Sequence, residues 1–118
     1  MLFTVRFMKS ENNSFILVYV TTDSEYEAIK LSKLILEKRL AACSNIIDHS
    51  KSFYWWNNEI NEGKEYIILF KTTLPNESKL IKKIIDLHSY DNPCVISIPI
   101  SNGNKMFLDW INHETQEN

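Results

Sequence analysis

His88 and Cys94 lie six residues apart across the turn Tyr90-Asp91-Asn92-Pro93. A soft thiolate beside an imidazole suits Cu(I) or Zn(II). Two ligands are too few for tight binding, so a third would have to come from another subunit, and metal stoichiometry would then follow the oligomer. His88 also falls within a helical apolar stripe, close in angle to Ile81 and Ile84. That position gives it a rival role as a buried residue hydrogen-bonded near a helix end. Glu65 and Lys71 share one face of a strand but stand six residues apart, about 20 Å at strand rise. They cannot pair within one chain, so a site using both needs a second copy. His49 and His113 read as surface residues, and Cys43 as a small apolar side chain at a helix-to-strand junction. No nucleophile and base stand at a catalytic spacing, and the expectation is a binding protein, not an enzyme.

The elements that position these groups are legible along the chain. Phe15 to Thr21 is apolar or β-branched at every position and predicts a strand buried on both faces. Ser24 and Glu27 have the spacing of a capping box and open a helix to about Leu40, with Ala28, Leu31 and Ile35 on its inner stripe. The run Arg39-Leu40-Ala41-Ala42-Cys43-Ser44 then passes into a strand without glycine or proline. Its small residues bring the helix end close to the sheet, and Asn45 is expected to hydrogen-bond local backbone. Strands over Ser44 to Trp56 and Lys64 to Thr73 form a hairpin joined by the polar segment Asn57 to Gly63, with Asn57 and Asn58 suited to its corner. After Pro75 a second amphipathic helix carries Leu80, Ile81, Ile84, Ile85 and Leu87. Pro93 resets the chain, Val95 to Ile100 reads as a last strand, and Asn104 to Asn112 as a short terminal helix. The order β-α-β-β-α-β is the ferredoxin-like α+β arrangement.

Composition narrows the class. The chain has 118 residues, 44% of them hydrophobic, enough for one core and too few for two ordinary domains. Residues 15–113 are expected to form that domain, with an N-terminal arm over 1–14 and a tail over 114–118. Thirteen basic and 15 acidic residues leave a net charge of −2 without charge blocks. That balance offers no footprint for nucleic acid or for an anionic membrane. No apolar run could span a bilayer, and Arg6 interrupts the opening stretch, so a cytoplasmic protein with two reduced cysteines is expected.

In the ferredoxin-like topology both helices lie on one face of the sheet. On the third strand Tyr66, Ile68 and Phe70 point one way while Ile67 and Leu69 point the other. The first strand repeats the pattern, with Ile16, Val18 and Val20 opposite Phe15, Leu17 and Tyr19. Two helices cannot cover both faces. Either copies of the chain shield one another, or the N-terminal arm or terminal helix folds over the open side. The first is the expectation taken here.

The chain resembles the divalent cation tolerance proteins called CutA. The likeness runs from about Phe15 to Ile111, through Arg39-Leu40-Ala41-Ala42-Cys43, Ser52-Phe53-Tyr54-Trp55-Trp56, Leu69-Phe70-Lys71-Thr72, His88 with Tyr90 and Pro93, and Gly103-Asn104 leading to Leu108 and Trp110. The resemblance implies a homotrimer held by long hairpins, similar in architecture to PII signalling proteins, and a link to copper or another divalent cation. Trp56, Lys71, His88 and Tyr90 match family positions near a cleft between subunits that could take a small anion or metabolite; Glu65 joins Trp56, Lys71 and Tyr90 as a ligand-binding candidate there, and His88 and Cys94 are the metal candidates. The chain departs from the family pattern at several of these positions. A ligand position near the end of the first strand is Val20, the usual paired histidines are Leu87 and His88, and the glutamate that follows the later proline is Cys94.

Other users of this topology are excluded by residues. RNA-recognition modules need a basic residue, a glycine and exposed aromatics on the third strand, which here reads Lys64-Glu65-Tyr66-Ile67-Ile68-Leu69-Phe70-Lys71. Copper chaperones need Cys-x-x-Cys after the first strand, where this chain has Thr21-Thr22-Asp23-Ser24. Acylphosphatase-like enzymes need a glycine-rich phosphate cradle there, and Gly63 and Gly103 are the only glycines. The reading is a trimeric divalent-cation tolerance protein. Its alternative is a PII-like module that binds a metabolite or partner protein without a physiological metal.

Overall fold

The computed structural model describes residues 14–116. Its elements are β1 (Phe15–Thr22), α1 (Glu25–Glu37), β2 (Cys43–Trp56), β3 (Glu59–Thr73), a 3-10 turn (Leu74–Asn76), α2 (Glu77–Leu87), β4 (Val95–Ile100) and α3 (Lys105–Glu114). The strands form one sheet in the order β2-β3-β1-β4, and every neighbouring pair is antiparallel. This is the ferredoxin-like topology. The expected arm over 1–14 lies, except for Ser14, outside the described residues, as does the end of the tail.

Strand alternation sets the core. Ile16, Val18 and Val20 of β1 and Ile68 and Phe70 of β3 point to one face, where Ala28, Leu31 and Ile35 of α1 and Leu80 and Ile84 of α2 close over them. Each such aliphatic side chain contributes about 1.5–3 kcal/mol on burial. Helix α1 starts where the Ser24 hydroxyl accepts the Glu27 N–H at 3.1 Å. It stops at Glu37, three residues before the expected end. There the Leu40 N–H reaches the Ile35 carbonyl at 3.3 Å and the Arg39 N–H the Leu36 carbonyl at 3.0 Å. This is a Schellman stop with Arg39 in the left-handed region, φ 59°. Ala41 and Ala42 are buried beneath it, and the Ala42 N–H bonds the Lys71 carbonyl at 2.9 Å. The small residues therefore do bring the helix end onto the sheet. Asn45 acts differently from expectation: its side-chain oxygen accepts from Lys71 Nζ, across to β3.

Two further corrections concern the hairpin and α2. The corner is only Asn57-Asn58, both with positive φ (52° and 63°), and Glu59 to Gly63 are already β3, paired with Trp56 to Ser52. A two-residue turn of this hand matches strand twist, which lets the ladder run to the tip. In α2 only Leu80 and Ile84 are buried, while Ile85 and Leu87 are exposed. Successive residues turn by about 100°, so five positions over eight residues span more of the helix than the sheet can cover. One irregularity was not expected at all. Ile47 pairs with Ile67 but Ser50 with Glu65, so Asp48 and His49 together oppose Tyr66, with His49 at φ 62°.

Among the described residues, the opposite face of the sheet is covered only at one end. There Phe15, Ala42 and Ile111 of α3 form a second small cluster. The terminal helix thus seals an edge and leaves the middle open, where Ile47, Ile96 and Ile98 are 46%, 52% and 42% exposed. Beyond the helices the hairpin projects with Phe53, Tyr54, Trp55, Trp56 and Ile60 exposed. It stretches the molecule to 55 × 31 × 23 Å. No helix among the described residues is long and apolar enough to cross a membrane.

Candidate functional site

Glu65 stands opposite Ser50 on the open face of the sheet, on the side of β3 shared with Ile67 and Leu69. Its carboxylate accepts the Ser52 hydroxyl at 2.6 Å and the Tyr90 hydroxyl at 3.2 Å. Burial, and then the Glu65 charge, push the Tyr90 phenol well above its ordinary value, so it stays protonated and donates. Burial raises the Cys94 thiol, with Glu65 adding to it, and burial, Cys94 and Glu65 together raise Tyr19. Glu65 and Tyr90 therefore form one hydrogen-bonded corner, with Tyr19 and Cys94 near enough to feel the Glu65 charge. Such a corner can hydrogen-bond a polar ligand. It holds Cys94 in its less nucleophilic form.

The Tyr90 loop is fixed from beneath. The His88 side chain is fully buried; its Nε2–H donates to the Thr21 carbonyl at 2.7 Å, and Nδ1 accepts the Tyr90 N–H at 3.0 Å. Its ring packs against Tyr90 with centroids 4.7 Å apart. Glu27 accepts the Ser89 N–H at 2.8 Å and the Ser89 hydroxyl at 2.9 Å, and lies 3.6 Å from His88 Nδ1. The half of the capping box that was expected to reach back to Ser24 instead holds the loop after α2. Sequence reasoning missed Glu27 in this role, along with Ser52 and Tyr19. Ser52 could have been found as the hydroxyl two residues past the bulge, on the same face as Glu65.

Of the six residues singled out in the sequence, Glu65, His88, Tyr90 and Cys94 come together around this corner. The other two do not. Lys71 sits opposite Cys43 and Leu17, about 20 Å along β3 from Glu65. Trp56 lies at the hairpin tip opposite Glu59, 64% exposed, a similar distance in the other direction. His49 and His113 are on the surface, as expected, beside Asp48 and Glu114.

A metal fits this chain's own residues poorly. Among the described residues no group of three or more His, Cys, Asp or Glu is placed to hold an ion. Both ring nitrogens of His88 already have partners, and Cys94 is biased toward the thiol. A cation there would have to displace the Tyr90 amide.

A family model described as CutA1 divalent ion tolerance protein matches residues 16–114. The chain belongs to that family. It is 42% identical over 100 residues to the divalent-cation tolerance protein CutA of Archaeoglobus fulgidus, covering 85% of this chain and 96% of that one. The CutA of Thermus thermophilus is 39% identical over 98 residues, covering 83% and 95%. The crystal structure of CutA1 from Ehrlichia chaffeensis superposes with a TM-score of 0.85 at 36% identity, over 87% of this chain and 96% of that chain. The CutA resemblance read from the Arg39 to Cys43 run and the aromatic hairpin is thus correct, and so is the ferredoxin-like fold that it implied.

Proposed function

We propose that the chain works as a homotrimer in the cytoplasm, serving divalent-cation tolerance by binding a ligand at the seams between its copies. The observation that carries this reading is the uncovered apolar sheet face, which borders the Glu65–Tyr90 corner and continues into the aromatic hairpin. Such a surface, too large to leave in water, is buried when copies associate. Lys71 and Trp56, separated from Glu65 within one chain, could meet it across a seam from a neighbouring copy. The relatives from Archaeoglobus fulgidus and Thermus thermophilus are divalent-cation tolerance proteins by name. A seam site would take copper or another divalent cation with a third ligand from the neighbour, and it would act by binding, not by catalysis.

One observation favours a second reading, a PII-like module for a small anion, metabolite or partner protein. The His88 nitrogens are engaged, whereas the Tyr90 and Ser52 hydroxyls aim at Glu65 on an accessible corner. Isothermal titration of the purified oligomer with Cu(I), Zn(II) and a nucleotide panel separates the two. Metal binding in proportion to the trimer, lost in Cys94→Ala, supports the first reading. Metal-free nucleotide binding weakened in Glu65→Gln supports the second, and no binding of either class removes the seam site.

A further inference from the structure

The helical layer, on the far side of the molecule from the open sheet face, carries a basic groove. Helices α1 and α2 run antiparallel, since Glu27 near the start of α1 meets Ser89 just past the end of α2. Along α2 and beside the end of α1, a cleft of about 530 Å3 is lined by Lys38, Leu40, Lys79, Lys82, Lys83 and Asp86. The four α2 residues stand at i, i+3, i+4 and i+7, one continuous stripe about 10 Å long at helical rise. Lysines outnumber the one aspartate in this lining, in a chain whose net charge is −2. Lys38, Lys82 and Lys83 make no ion pair among the described residues. Like charges gathered this way repel one another and add nothing to folding. Leu40, packed against the core, adds an apolar patch to the lysine rim.

We propose that this groove is a docking site for an acidic peptide segment of a partner protein, one that sets carboxylates against the lysines and an apolar side chain on Leu40. Charge complementarity and the apolar contact define the occupant together. Nucleic acid fits less well, because the groove offers neither arginine nor an aromatic platform and spans only four lysines. The site stands apart from the Glu65–Tyr90 corner. Copies joined through the sheet face would leave it turned outward, so its success or failure does not depend on the seam ligand.

The test is fluorescence anisotropy of the full-length protein with a labelled eight-residue peptide of glutamates interrupted by two leucines. Binding is expected to weaken at least tenfold in Lys38→Glu/Lys82→Glu and severalfold in Lys38→Gln/Lys82→Gln, and to weaken as salt rises. Lys51→Glu, a control on the hairpin, should stay within twofold, and all variants should melt within a few degrees of wild type. Equal binding by the double reversal, equal binding of a peptide with serines for the leucines, or tighter binding of a single-stranded oligonucleotide would each overturn the proposal.

Discussion

Replacing His88 by alanine is expected to destabilise the chain by about 3–5 kcal/mol. Two bonds are lost: Nε2–H to the Thr21 carbonyl at 2.7 Å, and the Tyr90 N–H to Nδ1 at 3.0 Å. Thr21 is buried, so its carbonyl is left unpaired, at a cost of about 1–3 kcal/mol. The Tyr90 amide is partly buried and costs somewhat less, and the vacated ring volume adds the remainder. The two bonds can be restored one at a time. In His88→Gln the amide nitrogen can replace Nε2 toward Thr21, and in His88→Asn the amide oxygen can replace Nδ1 toward Tyr90. Each should recover about 1–2 kcal/mol relative to alanine. Urea unfolding at fixed protein concentration measures the totals, because an associating protein's midpoint shifts with concentration. Amide exchange at Tyr90 separates the two bonds: fast in the alanine and glutamine variants, slow in the asparagine variant. An alanine variant within about 0.5 kcal/mol of wild type, or unchanged exchange at Tyr90, would refute the assignment of His88 as the anchor of this loop.

Three further outcomes follow from the same structure. Tyr19, Tyr90 and Cys94 all have raised pKa values in the folded chain. The unfolded chain therefore loses these protons first, and stability should be complete below about pH 8 and fall as pH rises above it. Denaturation midpoints between pH 8 and 11 check this, with a shallower fall in Tyr90→Phe; a flat profile would contradict the shifts. Ser32 Oγ is buried on α1 with no hydrogen-bond partner among the described residues, so Ser32→Ala should stabilise by about 0.5–1 kcal/mol, read by urea unfolding. At the hairpin corner Asn58 has φ 63°, and Asn58→Gly should raise stability by about 0.5–1 kcal/mol, whereas Asn58→Val should lower it; thermal melts distinguish the signs.

How far these features were legible depends on whether the signal was local. The start of α1 at Ser24 is set by a hydroxyl and an amide three residues apart, and the Asn57-Asn58 corner by asparagine's tolerance of positive φ, so both could be read directly. The burial of His88 followed from its angle on the helix. Its partners did not, because the Thr21 carbonyl lies 67 residues away. Glu27 was misread for the same reason: helix start and loop clamp use one carboxylate, and only the tertiary contact with Ser89 decides between them. The bulge at Asp48–His49 has no glycine to announce it, yet it resets the register so that Ser52 and Glu65 share a face. The distance between Glu65 and Lys71 was clear from strand rise alone. That distance is also why a site using both residues would need a second copy.

Sedimentation velocity on the purified protein at micromolar concentration tests the exposed sheet face most directly. A single species of about three times the 13.9 kDa chain mass is expected, shifting toward smaller species when charges replace exposed apolar residues of that face, as in Ile96→Lys/Ile98→Glu. A stable, soluble 13.9 kDa species in the wild type would contradict the assembly and every seam site built on it.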